Sequence, residues 1–441
     1  MKKVAFCTLG CKVNQYETEA MITLFKDRGY FVAPFDEVCD IYVINTCTVT
    51  GEGERKSRQM IHRAHGKNND AIIVVTGCYS QVSPDEVAKL EGVSLVIGTC
   101  DRARIVDMTE EFIQKSQKQV NVCDIMKKRD YEDLWISSYE DKTRAFVKIE
   151  DGCTEFCTYC IIPYARGPVR SRTPESITKE ITTLADNGYK EVVLTGIHIG
   201  SYGRDLKDKT LLDAIKAANS VKGIKRIRLG SVEPRILTKD FIEEISKMPK
   251  VCDHFHISLQ SGCDRTLKAM NRKYTTDEYR NAVKNLRLFY KNPAITTDII
   301  AGFPGETPDD FLESLKFMEE IRFSEAHIFP YSPRKGTKAA AMEGQITKKE
   351  KNERARKMID ASKRLHNEYV KSFTGAETEV LFERSVGDNI YEGHMSNYIT
   401  VRVQSPDDIA HMFKKVKITF IINEEKIETE IEKGNKITND M

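Results

Sequence analysis

The stretch that most restricts what this chain can be runs from Gly152 to Arg172 and reads GCTEFCTYCIIPYARGPVRSR. Cys153, Cys157 and Cys160 stand there in a CxxxCxxC array. The residues just before it, Arg144 to Ile149, alternate as a strand does. Pro163, Gly167 and Pro168 follow it and argue against an immediate helix. Three thiols this close together point to a metal site. Structural zinc takes four ligands in a closed tetrahedron, so zinc would need a fourth ligand from elsewhere in the chain. An iron–sulfur cube is normally held by four thiolates, and three would leave one iron open to a ligand. Spacing alone leaves both readings standing.

The chain has 441 residues, enough for two or three domains with their own cores. A net charge of +2 with 30% charged residues excludes a polycation, so any RNA contact must come from a local patch. The opening residues MKKVAFCTLGCKV have neither a long apolar core nor a small-residue cleavage site, and no export signal is expected. No apolar run approaches the roughly 18 residues of a membrane-spanning helix. Twelve cysteines in such a chain point to a reducing, cytoplasmic setting, where clustered cysteines bind metal more often than they pair.

Residues 1–115 alternate strand and helix signals. Val4–Leu9, Ile41–Thr46, Ala71–Thr76 and a shorter Leu95–Gly98 read as strands, and Glu17–Arg28 and Glu54–His65 as helices. The alternation predicts an α/β domain with an open parallel sheet. Cys11, Cys47 and Cys78 each follow a strand, at the sheet edge where ligands bind in such folds. They are predicted to converge as a second three-thiol site, the alternative being three unrelated core thiols. Cys7, Cys39, Cys100 and Cys123 are expected to be small buried hydrophobes. The basic helix carrying Lys56, Arg58, Arg63, His62 and His65 fits a solvated face as well as RNA contact.

Residues 116–142 are charged and lack a clean period, which predicts a linker with a short strand near Val120–Cys123. Trp135 is expected to anchor it on a neighbouring domain. Residues 143–371 return to a β–α rhythm, with strands at Phe146–Ile149, Glu191–Leu194, Arg226–Leu229, Phe255–Leu259, Ile295–Ile300 and Ala326–Phe329. Six such units suit a partial TIM-like (β/α)6 barrel rather than the full eight. Gly-bearing or polar strings follow these strands, where barrel enzymes build their sites. His198, His254 and His256 are expected to be hydrogen-bonded or packed, and Cys263 a core thiol. Lys348–Lys371 is a basic helical stretch and a candidate phosphate track. Residues 372–441 alternate as short strands separated by turn residues, which predicts a small β-barrel.

Several strings resemble the radical S-adenosylmethionine methylthiotransferase family. They are the CxxxCxxC array with Tyr159 before its last cysteine, TLGCKVNQYE (Thr8–Glu17), NTCTVT (Asn45–Thr50) and TGC (Thr76–Cys78). HISLQSGCDRTLKAMNR (His256–Arg272) and FPYSPRKGTKAA (Phe329–Ala340) belong to the same resemblance, which spans nearly the whole chain. It implies two [4Fe–4S] clusters, one on Cys153, Cys157 and Cys160 and an auxiliary one on Cys11, Cys47 and Cys78, each with a free iron. The first would bind S-adenosylmethionine and cleave it by one electron to a 5′-deoxyadenosyl radical. A further S-adenosylmethionine would methylate sulfur at the auxiliary cluster. Tyr159, Gly196, Ser231, Glu233 and Gln260 would lie along the S-adenosylmethionine trough. The C-terminal barrel would be a TRAM-like RNA-binding module, although Glu424, Glu425, Glu428, Glu430 and Glu432 make it acidic. Its RNA surface would then involve Arg402, Lys414, Lys415 and Lys417.

TLGCKVNQYE and YCIIPYARGPVRSR are most similar to the branch that places a methylthio group on C2 of N6-threonylcarbamoyladenosine beside the tRNA anticodon. Implied partners are tRNA, a flavodoxin- or ferredoxin-like electron donor and a sulfur source, with no membrane. The threonylcarbamoyl group has a carboxylate that an isopentenyl group lacks. Arg166, Arg170 and Arg172, at the mouth of the site, are expected to read it by charge pairing. Sister branches act on isopentenyladenosine tRNA or a ribosomal-protein aspartate. They typically carry GCQMN or CxKN where this chain has Gly10-Cys11-Lys12-Val13-Asn14. A metal-stabilised RNA-binding protein without turnover is the remaining alternative, and two open cubes argue against it, since stability alone favours closed sites.

Overall fold

Beginning with the N-terminal sheet, the computed structural model describes residues 1–136, 143–422 and 426–431. The strands are β1 (Lys3–Thr8), β2 (Phe31–Val32), β3 (Ile41–Thr46), β4 (Ile72–Gly77), β5 (Val93–Ile97) and β6 (Gln119–Asn121), in the order β2-β1-β3-β4-β5-β6. All pairings are parallel. Period-two alternation sends side chains to two separate cores. Tyr42, Ile44, Ile73 and Val75 meet Ile61 and Ala64 of helix α2 (Gly51–Lys67) on one face. Ile41, Val43 and Val74 meet Met21 and Phe25 of helix α1 (Lys12–Asp27) on the other. The edge strand β2 has two residues, too few for a readable period, while β6 is the short strand expected near Val120–Cys123 and adds to the edge of this sheet.

The expectation for Cys100 and Cys123 is corrected: the two form a disulfide, with Cα atoms 6.3 Å apart. Cys100 follows β5 and Cys123 follows β6, and the register Ile97↔Asn121 carries both past the end of the same strand pair. Cys39 is a buried free thiol and Cys7 is partly buried.

The linker straps the first domain to the second. Leu134 and Ile136 join the barrel's own core, and Tyr16 of α1 donates its hydroxyl to the Leu134 carbonyl. Arg172 and Lys179 sit over the Trp135 ring at 5.0 and 4.9 Å, so Trp135 anchors the linker on the next domain. The linker's end, 137–142, lies outside the described residues.

The second domain carries β7 (Arg144–Lys148), β8 (Glu150–Asp151), β9 (Arg170–Ser171), β10 (Glu191–Thr195), β11 (Arg226–Leu229), β12 (His254–His256), β13 (Ala294–Ala301) and β14 (Glu325–Pro330). β11-β10-β7 and β12-β13-β14 are two parallel triplets. The bridges Ile227↔Val251 and Val232↔Ile257 join them into one curved, six-stranded wall. Ala145, Val147, Val192, Leu194 and Ile227 pack outward with the helices. Alternate positions, including Arg144, Phe146, Val193, Arg228 and His254, face an inner cavity. Helix Lys348–Lys371 closes the domain, with Met358, Ala361 and Leu365 buried.

The short helix Ile162–Arg166 departs from the expectation of no helix after the cysteines. Pro163 occupies its first turn, where a missing N–H costs nothing. The C-terminal strands β15 (Glu377–Gly387), β16 (Ile390–His394), β17 (Thr400–Gln404), β18 (Phe413–Ile422) and β19 (Lys426–Ile431) close into a five-stranded barrel. Glu424, Glu425 and Glu432 lie outside the described residues.

Candidate active site between two cysteine trios

Cys11, Cys47 and Cys78 come together where β1, β3 and β4 end. The registers Thr8↔Asn45 and Thr46↔Gly77 align those ends. Asn14 ties the loops by donating to the carbonyls of Leu9 (2.7 Å) and Thr46 (3.0 Å). A Cβ on Gly10 would lie 3.1 Å from the Cys47 sulfur, so the Cys11 loop passes against Cys47. Gly77 has φ +99°, and a Cβ there would fall 2.5 Å from Asn45 Oδ1 and the Thr46 carbonyl. Glycine is therefore required for the chain to deliver Cys78 to the other two. Burial raises the Cys47 thiol, and Cys11 nearby adds to the rise. Burial pushes Cys78 up to about 12, with Arg166 opposing and Cys11 and Cys47 adding.

The second trio is shaped by its own loop and by the segment 269–272. Cys153 donates its N–H to the Gly167 carbonyl (2.9 Å), and Thr158 donates to the carbonyls of Met270 (3.0 Å) and Ala269 (2.9 Å). Gly152 has φ +93°, and a Cβ there would lie 2.1 Å from the Pro168 carbonyl oxygen. Asn271 donates to the carbonyl of Phe156 (3.0 Å), which holds a left-handed φ of +47°. Burial pushes Cys160 up to about 12, and Cys157 and, more weakly, Cys78 contribute. The two trios therefore lie within electrostatic reach of each other, although they belong to different domains.

Each trio has a guanidinium aimed at a sulfur. Arg166 Nε donates to Cys78 Sγ at 3.3 Å, and Arg272 Nη1 donates to Cys157 Sγ at 3.2 Å. A cationic donor at that distance would offset the negative charge of a metal-bound sulfur. Three soft sulfur donors with such partners fit iron–sulfur ligation.

The residues expected along the trough gather at the carboxyl ends of the barrel strands, with one difference. Gly196 follows β10, and a Cβ there would lie 2.6 Å from Glu150 Oε2. Ser231 and Ser258 hydroxyls are 2.7 Å apart. Glu233 accepts from Arg272 Nη2 at 2.7 Å and lies 3.4 Å from His198 Nε2. Gln260 has φ +68°, strained for a residue with a Cβ, and is held by its N–H on the Asp298 carbonyl (2.8 Å). Tyr159 instead packs into an apolar cluster with Met270, Phe303, Tyr331 and Ala339. Arg272 was not singled out from sequence, although it closes the string His256–Arg272. Its fork joins the cysteine loop to Glu233.

Arg166, Arg170 and Arg172 differ from the expectation of a substrate-facing mouth. All three are buried. Arg166 donates to Glu17 (2.5 and 3.0 Å) and Asn14 (2.7 Å) and lies 3.4 Å from Asp151. Arg170 donates to the carbonyls of Arg166 and Pro168, both at 2.8 Å, and lies 3.5 Å from Asp151. Arg172 pairs with Glu180 and with Asp133. Arg102 and Lys148 complete this buried set, on Glu17 at 3.0 and 3.1 Å. The arginines after the cysteines are thus the seam between the first two domains, their guanidiniums already taken by carboxylates.

The remaining candidates fall into place around this seam. Cys263 is buried and donates to Asp310 (3.3 Å), as a core thiol. His198 pairs with Ser201 (2.6 Å), and His254 stacks on Tyr398 with ring centres 5.1 Å apart. His256, Asp298 and His327 bring their ligating atoms within 4.8 Å of one another on the inner face of the barrel. On the basic helix α2, Arg63 pairs with Asp36, and Arg58 donates to Tyr79 at 3.2 Å. Arg334 reaches from the second domain to Thr48 (2.9 Å) and Glu54, beside Cys47.

The family model described as Radical SAM superfamily matches residues 147–318, and that described as Uncharacterized protein family UPF0004 matches 3–98. A Bacillus subtilis protein named threonylcarbamoyladenosine tRNA methylthiotransferase MtaB is 44% identical over 95% of this chain and 94% of its own length. A protein of the same name from Aquifex aeolicus is 40% identical over 86% of this chain and 92% of its own. An Alkaliphilus oremlandii protein named tRNA-2-methylthio-N(6)-dimethylallyladenosine synthase is 36% identical over 87% of this chain and 82% of its own. Among solved structures, the radical S-adenosylmethionine methyltransferase TsrM from Kitasatospora setae superposes with a TM-score of 0.55. It is 15% identical, covers 76% of this chain and 77% of its own, and shows the fold alone. With cysteine trios from two domains meeting across one seam, and relatives of this identity along nearly its whole length, the chain belongs to the radical S-adenosylmethionine methylthiotransferase family.

Proposed function

We propose that this protein installs a methylthio group on C2 of N6-threonylcarbamoyladenosine beside the anticodon of tRNA. The observation that carries this is the meeting of the two cysteine trios, with Arg166 of the second domain on the sulfur of Cys78 in the first. The choice of base modification is supported by the 44% and 40% identical relatives bearing that name, against 36% for a relative named for dimethylallyladenosine.

When bound, a [4Fe–4S] cluster on each trio and S-adenosylmethionine would supply the one-electron and sulfur chemistry that an unreactive adenine C2–H demands. The chain supplies position and seclusion. Cys153, Cys157 and Cys160 would hold one cluster and Cys11, Cys47 and Cys78 the other. Arg272 braces the first loop against Glu233. Gly196, Ser231, Glu233 and Gln260 offer the polar edge for S-adenosylmethionine, with Tyr159 packed behind the cysteine loop. No side chain is assigned as a general base, since that C–H is too weak an acid for one. The small barrel and the helix Lys348–Lys371 would contact the tRNA backbone. A flavodoxin- or ferredoxin-like reductant and a sulfur donor complete the set of partners. Among the described residues no helix is long and apolar enough to cross a membrane.

The test is a reaction with reconstituted protein, S-adenosylmethionine, a reductant and sulfide. Anticodon stem-loops carrying either threonylcarbamoyl- or isopentenyladenosine are offered, and nucleosides are read by mass spectrometry. Conversion of the first RNA is expected. Conversion of the second alone would assign the sister substrate, and conversion of neither by iron-replete protein would reject a tRNA substrate.

A further inference from the structure

A cavity of about 370 Å³ opens between the start of α1, the inner faces of β7, β10, β11 and β12, and the C-terminal barrel. Lys12, Arg144 and Arg228 line it, and with Arg384 they outnumber the carboxylates of Glu383 and Glu392, so its net charge is cationic. Two of these cations are already engaged. Arg144 lies 3.0 Å from Glu383 and 3.7 Å from Glu191. Arg228 pairs with Glu191 at 2.6 Å and donates to the carbonyls of Met395 (2.8 Å) and Ser396 (2.6 Å). His254 is stacked on Tyr398. The carboxylates of the wall are engaged too: Glu383 with Arg144 and His394, Glu392 with Arg384 and Arg402.

Lys12 is the exception. Its exposed side chain stands at the rim of this cavity, and among the described residues no carboxylate makes a salt bridge to its ammonium: Asp298 acts on it only from a distance, while Arg144 and Arg228 repel it. An ammonium set beside two guanidiniums, with only a distant carboxylate to offset them, gains from an anionic ligand that adds the missing counter-charge. An ammonium on a flexible stem is suited to that task, as a point charge with three rotatable donors. The residue also directly follows Cys11, so an anion held by Lys12 is held beside the first trio.

We propose that Lys12 is a specificity-determining residue that binds the carboxylate of the substrate's threonylcarbamoyl group. The proposal rests on threonylcarbamoyladenosine being the substrate, and it takes over the role first expected of Arg166, Arg170 and Arg172, which are occupied at the seam. Glu383 and Glu392, held by their own arginines and by His394, leave the lysine as the group facing an incoming anion.

The experiment measures binding by the reconstituted full chain of two anticodon stem-loops. One carries N6-threonylcarbamoyladenosine, and the other carries the same nucleoside as its methyl ester. The unaltered protein is expected to bind the acid about 10-fold tighter than the ester, the discrimination of one charge-assisted contact. Lys12→Gln should bind both within about 2-fold, at the level the unaltered protein shows for the ester. Lys12→Arg should restore part of the preference. A Lys12→Gln protein that keeps the full preference for the acid overturns the proposal. Binding, not turnover, is read, so a variant that holds less iron still decides it. An unaltered protein that converts isopentenyladenosine RNA and not the threonylcarbamoyl RNA would reject the substrate assignment itself, a result distinct from failure of the lysine alone.

Discussion

Replacing Arg166 with alanine is expected to destabilise the protein by about 3–5 kcal/mol, the usual cost of removing one partner from a buried ion pair. The guanidinium serves Glu17, Asp151, Asn14 and Cys78 at once, from three separate stretches of chain. Its loss strands carboxylates at the seam between domains. Arg166→Lys keeps the charge but not the planar fork, and should recover only part of the loss. The effect has a pH signature. Burial alone would raise Glu17, but Arg102, Arg166 and Lys148 outweigh it and hold its carboxyl at about 2. In the unfolded chain the same group titrates near about 4.3. A depressed folded value means stability that is present above about 4 and lost as pH falls toward 2. In Arg166→Ala the folded value rises, so acid unfolding should begin at a higher pH. Urea unfolding at several pH values checks both points. An unchanged midpoint and an unchanged acid limb would contradict the seam described here.

The second large effect concerns the cysteines. Replacing Cys153, Cys157 and Cys160 together with alanine should abolish turnover and lower the iron from about eight to about four per chain. Replacing Cys11, Cys47 and Cys78 together should remove the other half of the iron and also abolish methylthio transfer. Only the second variant should still cleave S-adenosylmethionine, because the cleaving trio is intact. Iron and sulfide analysis of anaerobically prepared protein, with assay of S-adenosylmethionine cleavage, separates the two. Either variant retaining all its iron would show that the trio in question holds none.

Local pattern carried much of the architecture. Ile41–Thr46 reads as a buried strand because four consecutive β-favouring residues, Ile41 to Ile44, feed two cores in alternation. The six strands of the second domain's wall were legible because each is a short apolar or alternating run followed by a polar or Gly-bearing turn. The convergence of Cys11, Cys47 and Cys78 followed from a parallel sheet, where strands of known polarity must present their carboxyl ends on one edge. What local pattern could not give was who pairs with whom across domains. Arg166 looked like a free cation because Glu17, its partner, lies 149 residues away. Cys100 and Cys123 looked like separate hydrophobes because the strand that aligns them, β6, has three residues. Arg272 and Lys12 sat inside recognised strings, but nothing in a string shows that one side chain is braced against a sulfur and that the other, among the described residues, makes no salt bridge.

The central claim is that this chain modifies threonylcarbamoyladenosine in tRNA, and nucleoside mass spectrometry of total tRNA from cells with and without its gene tests it most directly. The expected result is loss of the methylthio form and accumulation of unmodified threonylcarbamoyladenosine when the gene is removed. Intact methylthio-threonylcarbamoyladenosine in cells that have no second enzyme of this kind would contradict it.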